Sequence, residues 1–75
     1  MTDVPQSPDA ARARVRQLLL SGDNIIKNRD NPSRFVRARE RYARARELAA
    51  AAGLGQEVTT IIDLRIAQID ADGTT

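Results

Sequence analysis

Apolar residues recur along the first half of the chain at steps of three and four. From Ala11 they fall at Val15, Leu18, Gly22 and Ile25, with Leu19 and Ile26 widening the stripe, which is the spacing of one face of an α-helix. Ser7 suits the N-cap, Pro8 the first helical position, where a missing N–H costs nothing, and Asp9 the positive end of the helix dipole. Helix one is expected over 8–28. Gly22 has two readings. On the inward face of a continuous helix it implies a close approach by another backbone, whereas Ser21, Gly22 and Asp23 together can also break a helix. The preceding residues, 1–7, are polar and proline-containing and read as a flexible lead.

Asn28, Asp30, Asn31 and Pro32 form a stop signal, with Asn31 as cap and Pro32 opening helix two, expected over 32–52. Its inward positions run Phe35, Ala38, Tyr42, Ala45, Ala49 and Ala52, with Leu48 beside them. So many small residues predict a close helix pair plugged by the two aromatics. Gly53 supplies a left-handed residue, and Leu54 can fold back on the last turn as in a Schellman cap. In the third segment, 56–70, Val58, Ile61, Ile62, Ile66 and Ile69 fit a helical face, yet Val58, Thr60, Ile62, Leu64 and Ile66 alternate as a strand would. Helix is favoured, because no other segment offers a strand to pair with. Residues 71–75 read as a flexible tail. The expected fold class is therefore all-α, a three-helix antiparallel bundle with the third helix laid across the first two.

Leu18, Gly22 and Ile25, followed by Ala38, Tyr42 and Ala45, resemble the helical hairpin of a tetratricopeptide repeat over Gly22 to Ala49. Departures are the sixteen residues from Gly22 to Ala38, about four longer than usual, Ser21 at a position that is commonly large and apolar, and no proline ending helix two. The resemblance implies a protein-binding helical module. A single repeat has no long concave groove of the kind repeat arrays use.

Length and composition narrow the functional classes. Seventy-five residues allow one domain with a thin core, for which self-association or a partner is a natural completion. With no cysteine and no histidine, disulfides, thiolate metal sites and the commonest general base are absent. No calcium-loop spacing accompanies Asp63, Asp70 and Asp72, and Asp23 and Asp30 read as turn and cap residues. The chain is expected to be no enzyme, with no cofactor, no metal and no small-molecule substrate. It shows neither a signal peptide nor a membrane span, so a cytoplasmic protein is expected.

Charge is unevenly placed. The segment from Arg12 to Arg46 carries eleven basic and three acidic residues, while the net charge of the whole chain is +2. Arg34, Arg37, Arg41 and Arg44 form one stripe on helix two, which Arg12, Arg16, Lys27 and Arg29 can enlarge, and a row of guanidinium groups can follow a phosphate backbone. The bland reading is a solvated surface laced by Glu40 with Arg37 or Arg44 and by Glu47 with Arg44. The leading expectation is a protein–protein interaction or oligomerisation module, its partner another protein or itself as a homodimer through helix three. Leu20, Val36, Leu54, Ile61 and Leu64 lie off the main stripes and are the expected contact residues. The alternative is weak nucleic-acid binding through the arginine stripe.

Overall fold

A computed structural model describes residues 7–73, which form α1 (Pro8–Lys27), α2 (Arg34–Ala51) and α3 (Gln56–Gly73), with no strand among them. The expected lead lies outside the described residues except for Ser7. Of the expected tail only 74–75 lie outside, since α3 runs on to Gly73. The architecture is a small all-α bundle. α2 is central and packs against both other helices, so α3 lies along α2 rather than across the first two.

Local chemistry explains the boundaries. The Ser7 hydroxyl accepts from the Ala10 N–H at 3.1 Å, with Pro8 in the first turn, as an N-cap should. α2 starts at Arg34, two residues after the expected Pro32. Asn31 does not cap it: its Oδ1 accepts the Ser33 N–H at 2.9 Å, which closes a turn within the loop and leaves Ser33 as the residue before the helix. At the far end the Leu54 N–H donates to the Ala49 carbonyl at 3.0 Å and the Gly53 N–H to that of Ala50 at 3.2 Å, with Gly53 at φ +65. This is a Schellman cap, and it carries the Leu54 side chain back onto the helix.

The core is lined by Ala11, Val15, Leu18, Ala38, Tyr42, Ala45, Ala49, Leu54, Ile62 and Ile69. Four of these ten are alanine, so α1 and α2 meet closely, and Tyr42 and Ile62 are the largest side chains fully buried. Phe35 sits at the edge, half-buried, with the Arg34 guanidinium 4.5 Å above its ring. α1 continues without a break through Gly22, and what approaches there is not a backbone. A Cβ at position 22 would stand 2.5 Å from Tyr42 Cε1, so the glycine makes room for a ring.

Candidate functional site

The Tyr42 hydroxyl, lodged beneath α1, donates to Asp23 Oδ1. Arg65 of α3 reaches the same carboxylate, Nε to Oδ1 at 3.4 Å and Nη2 to Oδ2 at 3.5 Å. One polar residue from each helix thus meets at a single node. Burial first, then the bond to Asp23 and its negative charge, push the Tyr42 phenol well above its ordinary value, with Arg65 opposing weakly. The phenol is therefore a fixed hydrogen-bond donor and not an acid at ordinary pH. Every buried side-chain polar atom among the described residues has a partner, and this node closes on itself. Sequence reasoning placed Asp23 in a turn; it lies inside α1. The available signal was Tyr42, since a buried tyrosine hydroxyl requires a partner.

Two further pairs tie α3 to α2: Arg46 Nε to Asp63 Oδ1 at 2.6 Å, and Arg39 Nε to Asp70 Oδ1 at 2.9 Å. The partners are seven residues apart on both helices and run in opposite order, as antiparallel helices require. The hydrogen bond to Asp70, and then its charge, raise the Arg39 pKa. On the other flank of α2 the arrangement differs. Arg34 donates from Nη1 to the Ile26 carbonyl at 2.8 Å, covering the end of α1. Among the described residues Arg37, Arg41 and Arg44 have no carboxylate within ion-pairing distance. The expected local pairs of Glu40 and Glu47 with Arg37 and Arg44 are not formed.

Of the expected contact residues, Leu20, Val36, Ile61 and Leu64 are exposed, at 55%, 63%, 48% and 66%. Leu54 is not: it is buried at 6%, because the Schellman cap that ends α2 turns its side chain inward. Ile61, which also fits the inward stripe of α3, faces outward, while Ile62 and Ile69 fill the core and Val58 and Ile66 pack at its edge.

The exposed residues do not all meet. Val36 stands near the start of α2. Ile61 and Leu64 are adjacent on α3, one turn apart. Leu20 is on α1, which runs parallel to α3, and the Asp23–Arg65 pair brings it level with Ile61. Around Ile61 and Leu64 the outer face of α3 continues through Thr60, Ala67, Gln68 and Ala71, all exposed and all uncharged. The charged residues in the middle of this helix, Asp63, Arg65 and Asp70, are each paired with α1 or α2. These carboxylates are still about half exposed, at the edges of the α2 contact, and α3 keeps Ile62 and Ile69 inward as a surface helix does, so Ile61 and Leu64 are extra apolar residues on its outer side.

The other surface features offer less. Gln17, Leu20, Ser21, Asn24, Ile25, Asn28 and Asn31 line an open depression along the second half of α1 and the loop after it. No three histidine, cysteine or carboxylate side chains among the described residues are grouped so as to hold a metal ion, and no described helix is long and apolar enough to cross a membrane. No family model matches the chain, and no curated protein or solved structure is significantly similar to it.

Proposed function

We propose that this protein is a cytoplasmic protein–protein interaction module without catalytic activity, and that the outer face of α3 is its contact surface. The observation that carries the reading is that Ile61 and Leu64 stand exposed one turn apart on α3, beside the uncharged Thr60, Ala67 and Gln68, while Asp63, Arg65 and Asp70 are engaged in pairs with α2 or α1. Full burial of a large aliphatic side chain is worth about 1.5–3 kcal/mol, and with Ile61 and Leu64 48% and 66% exposed a partner's surface would recover part of that for each. The sequence resemblance of Gly22 to Ala49 to a tetratricopeptide repeat accords with such a role. The test is a photo-crosslinking residue in place of Leu64, compared with one in place of the exposed Ala50 on α2, in cells producing the full chain. Adducts are expected from position 64 and not from position 50. Their absence at position 64 removes this reading.

A second reading is favoured by Arg37, Arg41 and Arg44, whose guanidinium groups have no carboxylate partner among the described residues. They are free to meet nucleic-acid phosphates without sequence preference. Three such contacts on a DNA duplex predict that log K falls with log salt at a slope of about −2.7, and that replacing each arginine by glutamine reduces the slope by about 0.9. No binding of duplex at low salt ends this reading.

A further inference from the structure

We infer that the face of the α1–α2 hairpin turned away from α3 binds double-stranded RNA across its minor groove; this rests on the phosphate-contact reading of Arg37, Arg41 and Arg44 above. One residue along a helix is about 100° of turn, so the residues just before and just after an inward position lie on its two flanks. Arg39 and Arg46 follow the buried Ala38 and Ala45 and reach α3, and Asp23 follows the buried Gly22 and is met by Arg65 of α3. Arg37, Arg41 and Arg44 instead precede Ala38, Tyr42 and Ala45, and all three are exposed. They line the opposite flank of α2. On α1 that flank is carried by Gln17, Ser21 and Asn24, which precede Leu18, Gly22 and Ile25, and it continues to Asn28 along the open depression. Tyr42 against Gly22 and Arg34 at Ile26 set the two helices antiparallel, so the two rows stand side by side.

The rows differ in chemistry. The three arginines form no ion pair among the described residues, whereas the α1 row is neutral and each of its side chains can both donate and accept. Gln17 accepts from Arg14 at 3.3 Å through Oε1, which leaves its amide N–H groups, and the side chains of Asn24 and Asn28 make no hydrogen bond among the described residues. The acids of these helices lie elsewhere. Glu40 and Glu47 stand two residues past Ala38 and Ala45, on the far side of α2, Asp9 stands two before Ala11, and Asp23 faces α3. A polyanion laid on this face meets no carboxylate from either helix.

Shape and the neutral row select the polyanion. Single strands are held by stacking bases on aromatic rings, and the chain's two rings are both taken, since Tyr42 is buried and Phe35 lies under Arg34. Reading B-form DNA needs a helix that enters a groove about 8.5 Å deep. Here the alanines of α2 hold the two helices flush, at the roughly 8–10 Å of a packed pair, so neither projects. The minor groove of A-form RNA is wide and shallow and displays 2′-hydroxyls, each a donor and an acceptor. Amide side chains complement such hydroxyls. The row from Gln17 to Asn28, about 16 Å long at 1.5 Å per residue, follows the groove while the arginines meet phosphates along one edge. An acidic polypeptide offers carboxylates to the arginines but no repeating hydroxyl to the amides.

The test is fluorescence anisotropy of the full chain with a labelled RNA duplex of about 16 base pairs. At low salt it is expected to bind at least about tenfold more tightly than a DNA duplex or a single-stranded RNA of the same sequence. Gln17→Ala with Asn24→Ala, at exposed mid-helix positions where alanine favours the helix, is expected to bring RNA binding down to the DNA level, with DNA binding and helicity by circular dichroism unchanged. If the pair lowers helicity, Gln17→Ala alone takes its place. Arg37→Gln, Arg41→Gln and Arg44→Gln together are expected to weaken both duplexes alike. Equal binding of the two duplexes overturns the inference and leaves the phosphate-contact reading standing, and no binding of either removes both. A preference for single strands, an RNA preference that survives the alanine substitutions, or displacement of the RNA by polyglutamate at equal charge also overturns it.

Discussion

The two interfaces of α2 are built on opposite plans. Toward α1 it presents Ala38, Ala45 and Ala49 and wedges Tyr42 over Gly22, with the hydroxyl tied to Asp23. Toward α3 the buried partners are Ile62 and Ile69, and the edges are held by Arg39–Asp70 and Arg46–Asp63, pairs whose side chains are about half exposed. The first interface depends on shape, where a single added atom has nowhere to go. The second depends on two aliphatic side chains and solvent-screened charge, and it leaves Ile61 and Leu64 of α3 exposed. The hairpin is thus the more closely packed unit, and α3 the element that keeps large aliphatic side chains exposed.

The hardest blow to the hairpin is Tyr42→Ala, which removes its only buried ring and leaves Asp23 without the phenol. By analogy with large aromatic deletions it should cost about 3–5 kcal/mol, most of the stability of a chain this size. Urea denaturation should show little or no folded baseline. Ile62→Ala, the equivalent deletion against α3, should cost about 2–5 kcal/mol and leave α1 and α2 folded. A tyrosine variant more stable than the isoleucine variant would reverse the ranking of the two interfaces.

Gly22→Ala tests the shape argument alone. Alanine gains roughly 1 kcal/mol in helix propensity, yet its Cβ would stand 2.5 Å from Tyr42 Cε1 and 2.9 Å from Cζ, and the ring is held by its hydroxyl. Overpacking of this kind costs about 1–3 kcal/mol, so a net loss of order 1 kcal/mol is expected in the denaturation midpoint. The double variant with Tyr42→Ala should lose the penalty, because the opposing atoms are gone. A stabilised single variant would show that the ring moves aside freely.

These residues also show what was legible from the chain. Helical spacing at Ala11 to Ile25 and Phe35 to Ala49, with Ser7, Pro8 and Gly53 as punctuation, contains the first two helices because each is a local signal, whereas 56–70 fits helix and strand alike and is assigned only because no other segment can pair with it. Leu54 was legible twice and inconsistently: the cap that Gly53 implies buries the side chain, while a helical wheel leaves it outside. The node of Asp23, Tyr42 and Arg65 was not legible, since it joins positions 19 and 42 residues apart and depends on which helices lie side by side. The outer side of α3 was half legible. Leu64 stands out as an off-stripe residue and Ile61 fits either side, but that Asp63 and Asp70 are engaged by α2 depends on arginines at matching seven-residue spacing there.

Alkaline pH probes the node without a mutation. Since the folded chain raises the Tyr42 pKa above its unfolded value near 10, stability is full below that value and falls as pH rises beyond it. The unfolded state releases the proton first, so the slope should approach about 1.4 kcal/mol per pH unit at 25 °C. Tyr42 is the chain's one tyrosine, so phenolate absorbance reports it directly. Ionisation at the ordinary tyrosine value with no loss of fold would place the hydroxyl in water.

The smallest expected effect decides what holds α3. Exposed ion pairs are worth about 0.2–1 kcal/mol, because water screens the charges and two long side chains must be held in place. A double-mutant cycle on Arg46→Gln and Asp63→Asn should therefore return a coupling in that range, diminished further by salt. If so, Ile62 and Ile69 carry the attachment, α3 opens before the hairpin, and its amides should exchange with solvent faster than those of α1 and α2. A coupling well above 1 kcal/mol would instead make the paired arginines the anchor. Pairing of Asp63 and Asp70 with α2 would then be a requirement for docking α3, and the exposure of Ile61 and Leu64 on its other side a by-product, which would remove the main support for reading that side as a contact surface.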